Sequence, residues 1–176
     1  MATIFELIDA GDAAGLRELL ARDPSAAAAT DEQGLSAIMR ASYRGGEVFD
    51  AVRAADPPLG AFDRIIVGES DGLPGPDDRT PDGFSGLHMA AFVNNVEAAR
   101  MLLDSGADPN VIATASFARV TPLGTCSFTG ALDVAKLLLE RGADPRIGED
   151  GEYTAEAEAI ARGNEALAAL IREHTR

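Results

Sequence analysis

The sequence predicts an all-α fold, a solenoid of about six short helix pairs joined by short finger loops. The first observation is a repeat, because MLLDSGADPN at residues 101–110 returns as LLLERGADPR at residues 137–146. The second is a constant spacing of nine residues between a Ser or Thr that can cap a helix and a residue that tolerates left-handed backbone. Since one pair cannot bury its own apolar face, we expect such pairs to stack.

Four first helices are predicted from this spacing. A Ser or Thr oxygen accepts a hydrogen bond from a free N–H group of the first turn, and Gly or Asn then ends the helix. Thr121 is followed by Pro122, which suits the first helical position. The capping and ending residues are Ser36 with Gly45, Ser85 with Asn94, Thr121 with Gly130, and Thr154 with Gly163.

The second helices are predicted from apolar periodicity and from their ends. Leucine-rich segments precede Gly106 and Gly142, and a proline follows each glycine within three residues. Two weaker units, residues 4–16 and 61–73, align with each other without gaps. The predicted helix pairs therefore begin near residues 3, 36, 60, 85, 121 and 154.

Two segments connect this pattern to a known family. DGFSGLHMAAFVNN at residues 82–95 and TPLGTCSFTG at residues 121–130 resemble the helix-opening turn of ankyrin repeats, and the repeated GADP segments resemble their close. The resemblance implies one ankyrin-repeat domain over residues 1–176. It would comprise an N-terminal capping repeat at 1–30, inner repeats at 31–146 and a C-terminal capping repeat at 147–176.

The middle of the chain departs from the family pattern. Ser36 and Ser85 are 49 residues apart, which is too few for two full repeats. Pro57 and Pro58 leave little room for a finger loop, and LPGPDDRTPDG at residues 73–83 interrupts the unit that follows. We therefore expect truncated middle repeats, with irregular structure at residues 56–81.

The resemblance also implies a concave face formed by the fingers and the first helices. Two registers would face it, the residue two before each helix-ending position and the residue before each capping Ser or Thr. The first register holds Tyr43, Ile66, Phe92 and Phe128; the second holds Leu35, Phe84, Val120 and Tyr153; Phe117 lies on the long finger of residues 111–120, with Arg40, Arg44 and Arg119 nearby. Exposed aromatic rows with arginines are typical of interaction sites. The alternative is that these aromatics pack between neighbouring fingers and complete the stack.

From this face we predict a non-catalytic module that binds a partner protein through Tyr43, Arg44, Phe84, Phe92, Phe117 and Phe128. One alternative is an acidic inhibitor that mimics nucleic acid, since 29 acidic against 15 basic residues give a net charge of −14. Another is an accessory subunit of an enzyme. We expect a monomer or a weak homodimer, the latter through the truncated middle.

Composition narrows the class of protein. A charge of −14 argues against direct nucleic-acid binding, which requires cations to neutralise phosphates. No apolar run is long enough for a membrane span, and the first residues lack the pattern of a secretory signal. The single cysteine, Cys126, fits a reducing cytoplasm, and the one lysine among fifteen basic residues suggests a bacterial, GC-rich genome.

No motif in the sequence indicates catalysis, so we predict no enzyme activity, no cofactor and no metal site. The resemblance implies that His88 bonds with Ser85 in the turn, and Cys126 suits a small buried position. His174 lies near the end of the chain. The acidic segment at residues 69–82 lacks the ligand spacing of a calcium loop, and whether it attracts a cation stays open.

Overall fold

The computed structural model describes residues 2–148 and 154–175, which contain eleven α-helices and no β-strand. The prediction of an all-α fold built from short helix pairs is confirmed. The chain divides into two compact units, Met1–Asp63 and Arg64–Arg176. The single domain over residues 1–176 stays a prediction, and so do its capping and inner repeats.

The first unit contains two helix pairs. It consists of α1 (Ile4–Ala10), α2 (Ala13–Arg22), a 3₁₀ helix (Pro24–Ala28), α3 (Ala37–Arg44) and α4 (Gly46–Arg53). Helix α1 packs on α2 and α3, and α4 packs on α2 and α3. The core between them holds Ile8, Leu16, Ile38 and Val52, whose side chains are almost fully buried. Burying such a side chain stabilises the fold by about 1.5–3 kcal/mol, which is how the two pairs hold together.

Helix α5 (Ala61–Ile66) spans the boundary of the two units and has no second helix after it. In the described residues this makes five helix pairs and one single helix, where the sequence predicted about six pairs. The irregular segment after α5 contains Pro74 and Pro76, which lack the N–H group that a continuing helix requires. The expected shortening of the middle of the chain is therefore present as a missing helix.

The second unit contains three helix pairs in two rows. One row is α6 (Gly86–Phe92), α8 (Pro122–Thr129) and α10 (Ala155–Ala161); the other is α7 (Val96–Asp104), α9 (Leu132–Glu140) and α11 (Glu165–His174). Neighbours within each row pack on each other, and each helix packs on its partner in the other row. Fully buried Leu87, Leu102, Leu123 and Leu138 form the continuous core of this stack.

The predicted starts of the four first helices are confirmed, and three of these helices have a side-chain cap. The Oγ of Ser36 accepts a hydrogen bond from the N–H of Met39, 3.1 Å away, and Thr121 and Thr154 cap in the same way. The four predicted ending residues all have positive φ angles, namely Gly45, Asn94, Gly130 and Gly163. Among the described residues, no helix is long and apolar enough to cross a membrane.

Candidate functional site

Four of the predicted site residues lie in the second unit, and we call them the aromatic surface: Phe84, Phe92, Phe117 and Phe128. Phe84 immediately precedes the cap of α6, and Phe92 ends that helix. Phe117 lies on the finger between α7 and α8, and Phe128 lies in the last turn of α8. Phe117 is 72% exposed and Phe128 is 49% exposed, whereas Phe84 and Phe92 are half-buried.

Phe84 and Phe117 form a contact between two fingers. Their ring centroids are 5.8 Å apart with the rings tilted by 57°, and the Phe84 ring also lies edge-on to His88 at 5.7 Å. Aromatic pairs in such tilted or edge arrangements are favourable beyond the area they bury. The contact with Phe84 thus stabilises the position of the Phe117 side chain, which is the more exposed of the two.

The position of Phe117 depends on how its finger is attached. The N–H of Thr114 donates to the carbonyl of Gly83 at 2.9 Å, so the finger of residues 111–120 is tied to the preceding one. Gly83 has a φ of 97°, and a Cβ at this position would lie only 2.6 Å from the Ala115 nitrogen. This close approach requires glycine and fixes the spacing of the two fingers.

His88 makes a second contact with the finger of residues 111–120. Its Nε2–H donates to the carbonyl of Val120 at 2.9 Å, and its Nδ1 accepts from the Ser85 hydroxyl at 2.7 Å. A carbonyl can only accept, so the proton lies on Nε2. The predicted bond with Ser85 is confirmed. Burial lowers the pKa of His88 to about 4, and the neutral ring therefore serves as a structural link.

Phe128 is covered on one side by an arginine. The guanidinium carbon of Arg162 lies 3.8 Å from the centroid of the Phe128 ring, and Arg162 Nε donates to Glu158 at 2.8 Å. A guanidinium over an aromatic face is attracted by the ring. The ring is thus oriented by α10 while half of it remains in solvent.

Tyr43 and Arg44, the other two predicted site residues, belong to the first unit and end α3. Tyr43 is 37% exposed. The Arg44 guanidinium donates to the carbonyls of Ile8 at 3.2 Å and Asp9 at 2.6 Å, in the last turn of α1, and the Ile8 carbonyl also accepts the N–H of Gly11. Arg44 therefore has a role inside its own unit, and its contact with a partner stays a prediction.

Two residues that share the predicted registers are not on any exposed face. Leu35 and Ile66 were expected on the concave face, but they are only 3% and 4% exposed. The position of a residue in the repeat determines the direction of its side chain. Its burial depends on the other residues that pack over that side chain. Val120 is half-buried, and Tyr153 lies outside the described residues.

The side chains considered for catalysis or cation binding are buried or already bonded to other groups of the chain. Cys126 is fully buried, and burial raises the pKa of its thiol far above the usual range, so the thiolate does not form. In the acidic segment, Glu69 pairs with Arg64 at 2.9 Å and Asp78 accepts from the N–H of Gly75 at 2.7 Å. Within the described ranges, no three His, Cys, Asp or Glu side chains are grouped so that they could hold a metal ion.

Sequence analysis missed a cleft on the finger that carries Phe117. It has a volume of about 380 Å³ and is lined by residues 112–116 and Arg119. Ile112, on its wall, is also exposed. The signal in the sequence was the length of this finger, since Ser85 and Thr121 are 36 residues apart rather than the usual 33 or so.

The chain combines stacked helix pairs, finger turns and a buried hydrogen bond between Ser85 and His88. These features define a helical repeat protein. The chain matches the family profile described as ankyrin repeats, three copies, over residues 65–149 and 87–175. These matches span more than half of the chain, which belongs to the ankyrin-repeat family. Members of this family generally mediate protein–protein interactions and are generally not catalysts. No curated protein matches the chain.

Proposed function

We propose that this protein is a non-catalytic interaction module that binds a partner protein through the aromatic surface. The observation that supports this most is the pair of Phe117 and Phe84, because a ring that is 72% exposed is held in place by a second ring 5.8 Å away. Rigid aromatic side chains lose little entropy on binding and are frequent binding hot spots. Tyr43 and Arg44 are proposed as further contacts, made by the first unit.

The contacts that hold the aromatic surface in place also favour binding. Phe117 stands on a finger that is bonded to Gly83, while Phe128 is held by Arg162. Because these rings are ordered before any partner arrives, less conformational entropy is lost on association. We expect a bacterial cytoplasmic partner, which accords with the composition of the chain.

Affinity capture from the native host, followed by mass spectrometry, tests the proposal. The variant F117A/F128A removes the two exposed rings, and we expect it to lose a partner that the wild type captures. The control is M101A, because Met101 is 44% exposed on α7 and lies outside the aromatic surface. Circular dichroism checks that each variant is folded. Equal capture by the double variant and the wild type would refute the role of this surface.

The acidic-inhibitor alternative has one observation of its own, the net charge of −14. Under it, binding to a basic partner would weaken steeply as salt concentration rises, since screening acts on exposed charges. Binding through the aromatic surface would depend weakly on salt and strongly on Phe117. An accessory subunit of an enzyme also binds a protein, and the identity of the captured partner would reveal it.

A further inference from the structure

Arg119 differs from the other arginines of the second unit that the structure describes. Six of them have a carboxylate within 4.0 Å: Arg64, Arg100, Arg141, Arg146, Arg162 and Arg172. Arg79 donates to two backbone carbonyls instead. Among the described residues, Arg119 has neither kind of contact, although the chain carries a large excess of carboxylates. Arg119 is exposed, so its guanidinium is available to a ligand.

The surroundings of Arg119 suit a short peptide segment. Arg119 lines the cleft of about 380 Å³ together with residues 112–116, and Ile112 gives this cleft an apolar wall. Phe117 stands on the same finger. A guanidinium at the edge of an apolar cleft binds a carboxylate through two parallel N–H groups, and the nearby apolar atoms limit competition from water.

We propose that this cleft binds a segment of the partner protein in which a carboxylate lies next to an apolar side chain. The carboxylate binds Arg119, and the apolar side chain contacts Ile112 on the wall of the same cleft. This rests on the proposed function and adds the chemistry of the bound segment. The charge of −14 alone would favour a basic segment, but screening in physiological salt limits long-range repulsion to about 8 Å. Local complementarity at Arg119 therefore decides which segment binds.

Selection from a phage library of random linear peptides on the immobilised full chain tests the proposal. We expect the enriched peptides to share Asp or Glu beside an apolar residue. A synthetic peptide with this consensus is then titrated by fluorescence anisotropy. R119Q is expected to weaken its binding about tenfold, as is typical of a lost charged hydrogen bond. Replacing the peptide carboxylate by an amide should have the same effect, and the two changes together should add little more.

The control is R100Q, which makes the same change of charge on α7, where Arg100 pairs with Glu97. We expect R100Q to bind the consensus peptide as the wild type does. Enrichment of basic peptides, of peptides without acidic residues, or of none overturns the proposal. So does an equal loss of affinity in R119Q and R100Q. The capture experiment with F117A/F128A is independent, so the proposed function can survive this failure.

Discussion

Protonation of His88 should destabilise the fold as the pH falls. In the unfolded chain a histidine titrates near its ordinary pKa of 6.5, whereas burial lowers the pKa of His88 to about 4. The unfolded state therefore takes up a proton more readily than the folded state in this range. The stabilisation is complete above pH 6.5 and is lost as the pH falls towards 4.

The difference between the two pKa values sets the size of the loss in the free energy of unfolding. It corresponds to a loss of about 2 kcal/mol by pH 5 and about 3 kcal/mol by pH 4. Charging the ring would place a cation at a fully buried position, and it would also turn Nδ1 into a donor. Nδ1 would then no longer accept the Ser85 hydroxyl hydrogen bond at 2.7 Å.

Urea unfolding followed by circular dichroism, repeated between pH 7 and pH 4, measures this loss. Carboxylates also titrate in the lower part of that range, so the comparison is with H88Q, whose amide can still donate to Val120 but cannot be protonated. The control is H174Q, which makes the same change at an exposed position near the end of α11. If wild type and H88Q lose stability in parallel, the assigned role of His88 is refuted. NMR titration of the His88 Cε1–H provides an independent reading.

Two further predictions concern backbone contacts. G83A should destabilise the second unit by at least about 1 kcal/mol more than G106A. Both glycines have φ near 97°, but only at Gly83 would a Cβ lie against Ala115. Equal urea midpoints for the two variants would contradict this prediction. R44M should lower the stability of the first unit by about 1 kcal/mol, since two carbonyls of α1 lose a charged donor. R53M, at an exposed position on α4, should have little effect, and equal losses in both variants would count against the capping role.

The local features of the sequence predicted the helix starts and ends well. Ser36 and Gly45 illustrate why, because a cap needs only its own side chain and the next three N–H groups, and a stop at positive φ needs only a permissive residue. The turn that contains His88 was predictable for the same reason, since Ser85 is three residues away.

Burial was harder to predict, because it depends on residues far along the chain. Leu35 and Phe84 occupy the same register before a cap, yet Leu35 is buried while Phe84 is half-exposed and lies against Phe117. Arg44 has the residue type of a binding hot spot, but its guanidinium is bound to carbonyls of α1, about 35 residues earlier in the chain.

Periodicity, caps and glycine stops thus specified the class of fold and the order of the helices, because these signals act within one or two turns of the chain. The availability of a side chain for a partner was decided by tertiary contacts. Phe117 is presented to solvent by a finger tied to Gly83, and the Arg44 guanidinium is bound to the carbonyl of Asp9. Such contacts join residues some thirty positions apart, and no local pattern in the sequence encodes them.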